Sequence, residues 1–157
     1  MSNEIVLANS ESVIRLVAIA ILHYQDKFLM QLRDDIPTIV HPGFWTMFGG
    51  HLETGEPPEV GICRELQEEI GYVPSQISFF RSYADHQVIR YVFYGVLHVG
   101  LDMLELNEGW DMDFLSVDEI VRGNHYSARA SQDRPLAVSH QQIMLDFLSS
   151  SKSRINM

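Results

Sequence analysis

Residues 50–72 read GHLETGEPPEVGICRELQEEIGY, and the spacing of their carboxylates decides what the surrounding fold must support. Proline is well tolerated in a first helical turn and glycine at a helix end, so the pattern predicts a helix from near Pro57 to Gly71. On that helix Glu65, Glu68 and Glu69 stand at i, i+3 and i+4, which places them on one face within an arc of about 100°. Ile62, Cys63, Leu66 and Ile70 fall on the neighbouring arc and can anchor the helix to a sheet. Carboxylates crowded in this way repel one another by about 0.2–0.5 kcal/mol per pair even when exposed. A hard cation such as Mg²⁺ resolves the conflict, because it takes oxygen ligands and keeps waters that substrate phosphates can replace. The Gly49-Gly50 pair lets the backbone approach closely, so a main-chain carbonyl can join such a ligand set. Arg64, four residues before Glu68, can orient a carboxylate by a charge-assisted hydrogen bond.

The flanking segments read as strands with few helices. Val13 to Tyr24 is rich in Val, Ile and Leu and suits a buried strand; Gln25-Asp26-Lys27 is a turn, and Phe28 to Arg33 returns as a hairpin partner. Residues 34–43, with Pro37 and Pro42, form a loop before a short strand, Trp45 to Phe48, that ends in the glycine pair. Ile77–Tyr83 and Val88–Val99 read as strands about the turn at residues 84–87. Asp113–Ser116 is a further strand, followed by a brief helix (residues 117–121), a polar loop (123–134) and a terminal amphipathic helix, Leu136–Leu148. Such an order implies a mixed α/β domain with helices packed on a sheet.

Composition narrows the function. The chain has 157 residues, 46% of them hydrophobic, which fits one domain spanning residues 1–157, with flexible tails expected at 1–11 and 151–157. Its 11 basic against 21 acidic residues give a formal net charge of -10, a field that repels a polyanion and argues against a nucleic-acid polymer as partner. A small phosphate ester remains possible if a metal supplies positive charge. Cys63 is the only cysteine, which excludes an internal disulfide and a multi-thiolate zinc site. The seven histidines show no ligand spacing. The apolar run Leu16–Leu22 is too short to span a bilayer and no basic leader precedes it, so the expected location is the cytoplasm, without a membrane partner. No Walker-type phosphate loop, G-x-G-x-x-G or G-x-S-x-G occurs.

The stretch at 50–72 resembles the Nudix box, G-x5-E-x7-R-E-U-x-E-E-x-G-U, with U a bulky aliphatic residue. Gly50, Glu56, Arg64, Glu65, Leu66, Glu68, Glu69 and Gly71 all match. The seven fixed identities, at background frequencies of roughly 5–7% each, coincide by chance on the order of 10⁻⁹ to 10⁻⁸ per window. Tyr72 departs from the pattern, but it lies off the carboxylate face. GFWTMFGGHLE before the box and EGWDMDFLSVDEI after it also resemble the family, so the likeness covers most of residues 13–120.

The resemblance implies an α/β/α sandwich around a mixed sheet containing antiparallel hairpins. It also implies a hydrolase that cleaves a diphosphate linkage in a small nucleotide-type substrate with Mg²⁺ or Mn²⁺. Glu65, Glu68 and Glu69 would hold the metals or serve as base, with Glu65 the first choice of base. The carbonyl of Gly49 would add a ligand, and Gly50, Glu56 and Arg64 would keep the loop–helix geometry. For the further downstream acid Asp113 is preferred to Glu108, because it sits on a strand. Arg33 is a candidate phosphate grip, and Trp45, Phe48 and Trp110 are candidate base-stacking residues. The proline found about 15 residues after the box in many ADP-ribose hydrolases is replaced here by Gln87. The runs that mark NADH and coenzyme A hydrolases are absent, and Tyr91 lies slightly beyond the spacing seen in diadenosine polyphosphate hydrolases. A nucleoside triphosphate or a nucleoside diphosphate derivative remains. Two rivals stand beside the hydrolase. A nucleotide-sensing module on the same fold would tolerate losses from the box that this chain does not show. A prenyl diphosphate isomerase would need a reactive cysteine, whereas Cys63 lies on the apolar arc. A homodimer is compatible with the sequence but not derivable from it.

Overall fold

The structure, a computed structural model, describes the backbone of residues 4–6 and all of residues 13–150. Strand β1 (Glu4–Val6) lies within the segment expected to be a flexible tail, yet it pairs antiparallel with β2 (Val13–Tyr24). The remaining residues of both expected tails fall outside the described ones. From β2 the chain reverses through Gln25, in the left-handed region at φ 58°, into β3 (Lys27–Leu32). The hairpin pairs only at its closed end, Leu22–Tyr24 with Lys27–Leu29. Beyond that the two strands part, and β4 (Trp45–Thr46) and β5 (Phe48–His51) occupy the gap, β4 against β3 and β5 against β2. The strand expected at residues 45–48 therefore runs on through both glycines to His51.

Helix α1 (Pro58–Ile70) follows, starting at the prolines and ending where Gly71 takes the left-handed conformation at φ 66°. Strands β6 (Ser78–Ala84) and β7 (Val88–Val96) form a hairpin, with β7 parallel to β2 over nine residue pairs from Arg15–Val88 to His23–Val96. β8 (Asp111–Ser116) lies antiparallel to β3, and it begins two residues earlier than its sequence suggests. Ser116 then caps α2 (Val117–Arg122) through a reciprocal capping box with Glu119. Where a polar loop was expected, β9 (Asn124–Ser127) and β10 (Gln132–Pro135) form a separate hairpin. α3 (Val138–Ser149) closes the described chain.

The eight-stranded sheet is mixed, and helices cover both faces, as the resemblance implied. One core cluster joins Ile62, Leu66 and Ile70 of α1 to Leu16, Ala18, Ala20 and Leu22 of β2. The other joins Ile19 and Ile21, on the opposite face of the same strand, to Ile120 of α2 and Ile143, Met144 and Phe147 of α3. β2 is thus buried on both faces, which explains its unbroken apolar run. Among the described residues no helix is long and apolar enough to cross a membrane.

Candidate functional site

The glycines of β5 bring α1 close to the sheet. A Cβ on Gly49, where φ is 142°, would lie 2.1 Å from the carbonyl oxygen of Ala18; one on Gly50 would lie 2.8 Å from the carboxyl group of Glu65. With no side chains there, the helix carboxylates reach the strand backbone. Glu69 Oε1 accepts a hydrogen bond from the Gly49 N–H at 2.9 Å, and its Oε2 accepts one from Gln31 Nε2 at 3.3 Å. Gly49 thus presents its N–H to the Glu69 carboxyl group.

Arg64 is the hub of the charges behind this point. Its Nε and Nη2 donate to the two oxygens of Glu56 at 2.8 and 2.9 Å, a bidentate clamp that closes the loop onto the helix. Nη1 donates to Glu65 at 3.1 Å and to Glu68 at 3.3 Å, and Nη2 also donates to the His51 carbonyl. The Arg64 hydrogen bonds hold the Glu56 carboxyl down at about 2. Glu69 is in the opposite condition. Burial and the neighbouring charge of Glu65 push its carboxyl up to about 8. Burial likewise raises Glu65, against the pull of Arg64. The side chain of Glu68 is 59% exposed and faces Arg64 from solvent.

Glu65 and Glu69 border a cavity of about 750 Å³ where β2 and β3 part. Gly49, Gly50, Arg33, Glu108 and Gly109 line it as well, together with Val17, Ile19, Thr46, Met47 and His140. Arg33 Nε is buried without a hydrogen-bond partner. Among the described residues no three His, Cys, Asp or Glu side chains already form a metal-holding group. The donor set nonetheless fits a hard divalent ion. It consists of carboxyl oxygens beside close-packed glycine backbone, and two of those carboxyls, Glu65 and Glu69, are raised by burial in a way that a bound cation would reverse.

Three sequence expectations need correction. Asp113 does not border the cavity: on β8 it alternates with Met112 and Phe114, which pack toward α1, and its carboxylate is engaged by His125 instead. It accepts from His125 Nε2 at 2.8 Å, while His125 Nδ1 contacts Glu119. Glu108, ranked second, lines the cavity and adds its charge to that acting on Glu69. Trp45 and Phe48 are fully buried core residues, and the Trp45 indole N–H donates to the His125 carbonyl. Neither can stack on a base. Trp110 and Tyr72 are partly buried packing residues on opposite faces of the sheet. Thr46 and His140, which the sequence did not single out, also line the cavity.

These features agree with comparisons to known proteins. The NUDIX domain family model matches residues 14–137, and the chain belongs to the Nudix family. Over 32 residues, 20% of this chain, it is 53% identical to the 8-oxo-dGTP diphosphatase of Escherichia coli, and that stretch spans only 25% of the relative's length. A MutT structure from work on Aliivibrio salmonicida and Vibrio cholerae superposes with a TM-score of 0.68 at 17% identity, covering 87% of this chain and 98% of that one. The NUDIX domain of NrtR from Shewanella oneidensis, crystallised with ADP ribose, superposes at 0.63 with 17% identity, covering 83% of each chain. At these identities the structural likeness concerns the fold.

Proposed function

We propose that this chain is a divalent-metal-dependent pyrophosphohydrolase acting on a nucleoside triphosphate or a nucleoside diphosphate derivative, with residues 1–157 as one domain. The observation that carries the reading is the pair Glu65 and Glu69, set at the edge of a cavity of about 750 Å³ beside Gly49 and Gly50. Similarity to a diphosphatase over part of the chain and the intact box support it. Glu65, Glu68 and Glu69, with the Gly49 carbonyl, are the groups that would hold Mg²⁺ or Mn²⁺. Bound there, such an ion would supply positive charge to the phosphate oxygens and activate water for hydrolysis.

The protein's own residues divide the remaining work. Glu56 and Arg64 fix the start of α1 relative to the strand, so Glu65 keeps its place above Gly50. Glu69 is held at the cavity edge by the Gly49 N–H and Gln31, positioned as a ligand, with Glu65 the first choice of general base. Arg33, with its buried unpaired Nε, can donate to a phosphate oxygen. Glu108 faces the same cavity and can complete the oxygen ligands or orient a water.

A release assay over a nucleotide panel, with Mg²⁺, Mn²⁺ or chelator, tests this. Metal-dependent release of pyrophosphate or of a nucleoside monophosphate is expected. Binding of nucleotides without release under any metal would instead support a sensing module on the same fold.

A further inference from the structure

The cavity is also lined by two buried polar side chains that the carboxylate cluster does not engage. His140 of α3 is 6% exposed, and its Nδ1 accepts the Met47 N–H at 3.0 Å. An imidazole nitrogen that accepts a backbone N–H carries no proton, so the single ring proton resides on Nε2. Burial, with repulsion from His41, Arg90 and Arg33, reinforces the neutral form by lowering the pKa to about 3. The ring of His41 stands edge-on to His140 with centroids 5.4 Å apart, limiting its rotation. Thr46, whose backbone is joined to Met47, is 2% exposed, and its hydroxyl has no hydrogen-bond partner. A buried hydroxyl left unpaired costs about 1–3 kcal/mol, which a ligand atom can recover. Val17, Ile19 and Met47 give the same cavity an apolar wall.

We propose that His140 and Thr46 form the subsite that recognises the nucleobase, with His140 Nε2–H donating to a ring-nitrogen or carbonyl acceptor and the Thr46 hydroxyl pairing with a neighbouring polar atom. His140 is a neutral donor, and Val17, Ile19 and Met47 supply apolar surface to the same cavity. A flat heterocycle with polar edge atoms matches both properties. The two residues lie outside the box, and this assignment rests on reading the cavity as a nucleotide site.

The test is calorimetric binding of GMP, AMP, CMP, UMP and ribose 5-phosphate in chelator, which needs no turnover and so stands or falls apart from the hydrolase reading. At least one nucleotide should bind more tightly than base-free ribose 5-phosphate. That advantage should shrink by about tenfold in Thr46→Val and in His140→Gln, while ribose 5-phosphate binding stays unchanged. In the wild type, nitrogen-resolved NMR should show the His140 Nε2 signal shifting with the nucleotide and not with ribose 5-phosphate. Equal binding of all five probes overturns the proposal, and so does an undiminished nucleotide advantage in a folded Thr46→Val protein.

Discussion

The protein holds two clusters of acidic side chains around its central sheet, and they are electrostatic opposites. Asp113 and Glu119 are bridged by His125, which donates to one and contacts the other. Burial works against ionisation of both acids, but their hydrogen bonds to His125 and to backbone N–H groups outweigh it, so both titrate below the usual range. His125 is raised in return, its two carboxylates overcoming the cost of burial. That cluster contains its own cation and is a strut tying β8 and α2 to β9. Across the sheet, Arg64 is spent mainly on Glu56, and Glu69 stays buried beside Glu65 with its carboxyl raised to about 8. A cluster that satisfies itself fits a structural role; one left short of positive charge fits the metal site proposed for it.

The harshest way to break this contrast is to neutralise the unsatisfied side. Glu69→Gln should lower turnover by about 10²–10⁴-fold at saturating Mg²⁺ in steady-state assays, since it removes a ligand or base that acts on the reacting atoms. Near wild-type turnover would mean that the shortage of charge has no catalytic use. Gly50→Ala sharpens the same point without touching a carboxylate. Its new methyl would press on the flexible end of Glu65 at 2.8 Å, so the fold should survive while the rate drops by roughly 10–100-fold. A matched loss of melting temperature and of activity would show instead that the strand had given way.

Glu108→Gln and Asp113→Asn compare the two clusters directly. Glu108→Gln should reduce kcat/KM by about tenfold or more with little change in stability, the scale of a group that orients metal or water. Asp113→Asn should leave kinetics near wild type and cost about 1 kcal/mol of stability, a hydrogen bond to a charged ring discounted for its 40% exposure. The opposite pattern in denaturant titration and kinetics would exchange the roles of the two clusters.

The difference between these clusters was only half legible in the sequence. The carboxylate face of α1 could be read because Glu65, Glu68 and Glu69 lie within a single helix, where five residues fix which side chains are neighbours. Strand alternation, in contrast, separates Asp113 from Phe114 but does not tell that His125, 12 residues on, takes up the Asp113 carboxylate. The same ambiguity sent Trp45 and Phe48 to the site when the core needed them. His140 could not be found at all, because its place is set by a hydrogen bond to Met47, 93 residues earlier. The hairpin of β9 and β10 was hidden by polar residues, since a two-stranded unit at the surface needs little apolar patterning.

The smallest expected effect concerns stability without metal, and it separates Glu69 from its neighbour Glu68. An unfolded glutamate titrates at the ordinary value of 4.5, whereas folded Glu69 keeps its proton up to about 8. Between those values the folded protein binds more protons than the unfolded chain, so this group makes stability fall as pH rises, and the loss is complete only above the folded pKa. Gln at position 69 cannot ionise and keeps an acceptor for the Gly49 N–H. In chelator, Glu69→Gln should therefore melt progressively higher than wild type as pH increases from about 5 to 9. The gap should amount to at least a few degrees by about pH 9, at roughly 2–4 °C per kcal/mol for a chain of this size. Added Mg²⁺ should reverse the order, because only the wild type gains the full binding free energy in its folded state. Glu68 is 59% exposed and pairs with Arg64 at 3.3 Å, so the crowding that its helix position suggests is relieved by solvent and by that arginine. Glu68→Gln should show no such growing gap. Parallel pH-dependent melts of the three proteins decide between one buried, unsatisfied carboxylate and a repulsion shared along the helix face.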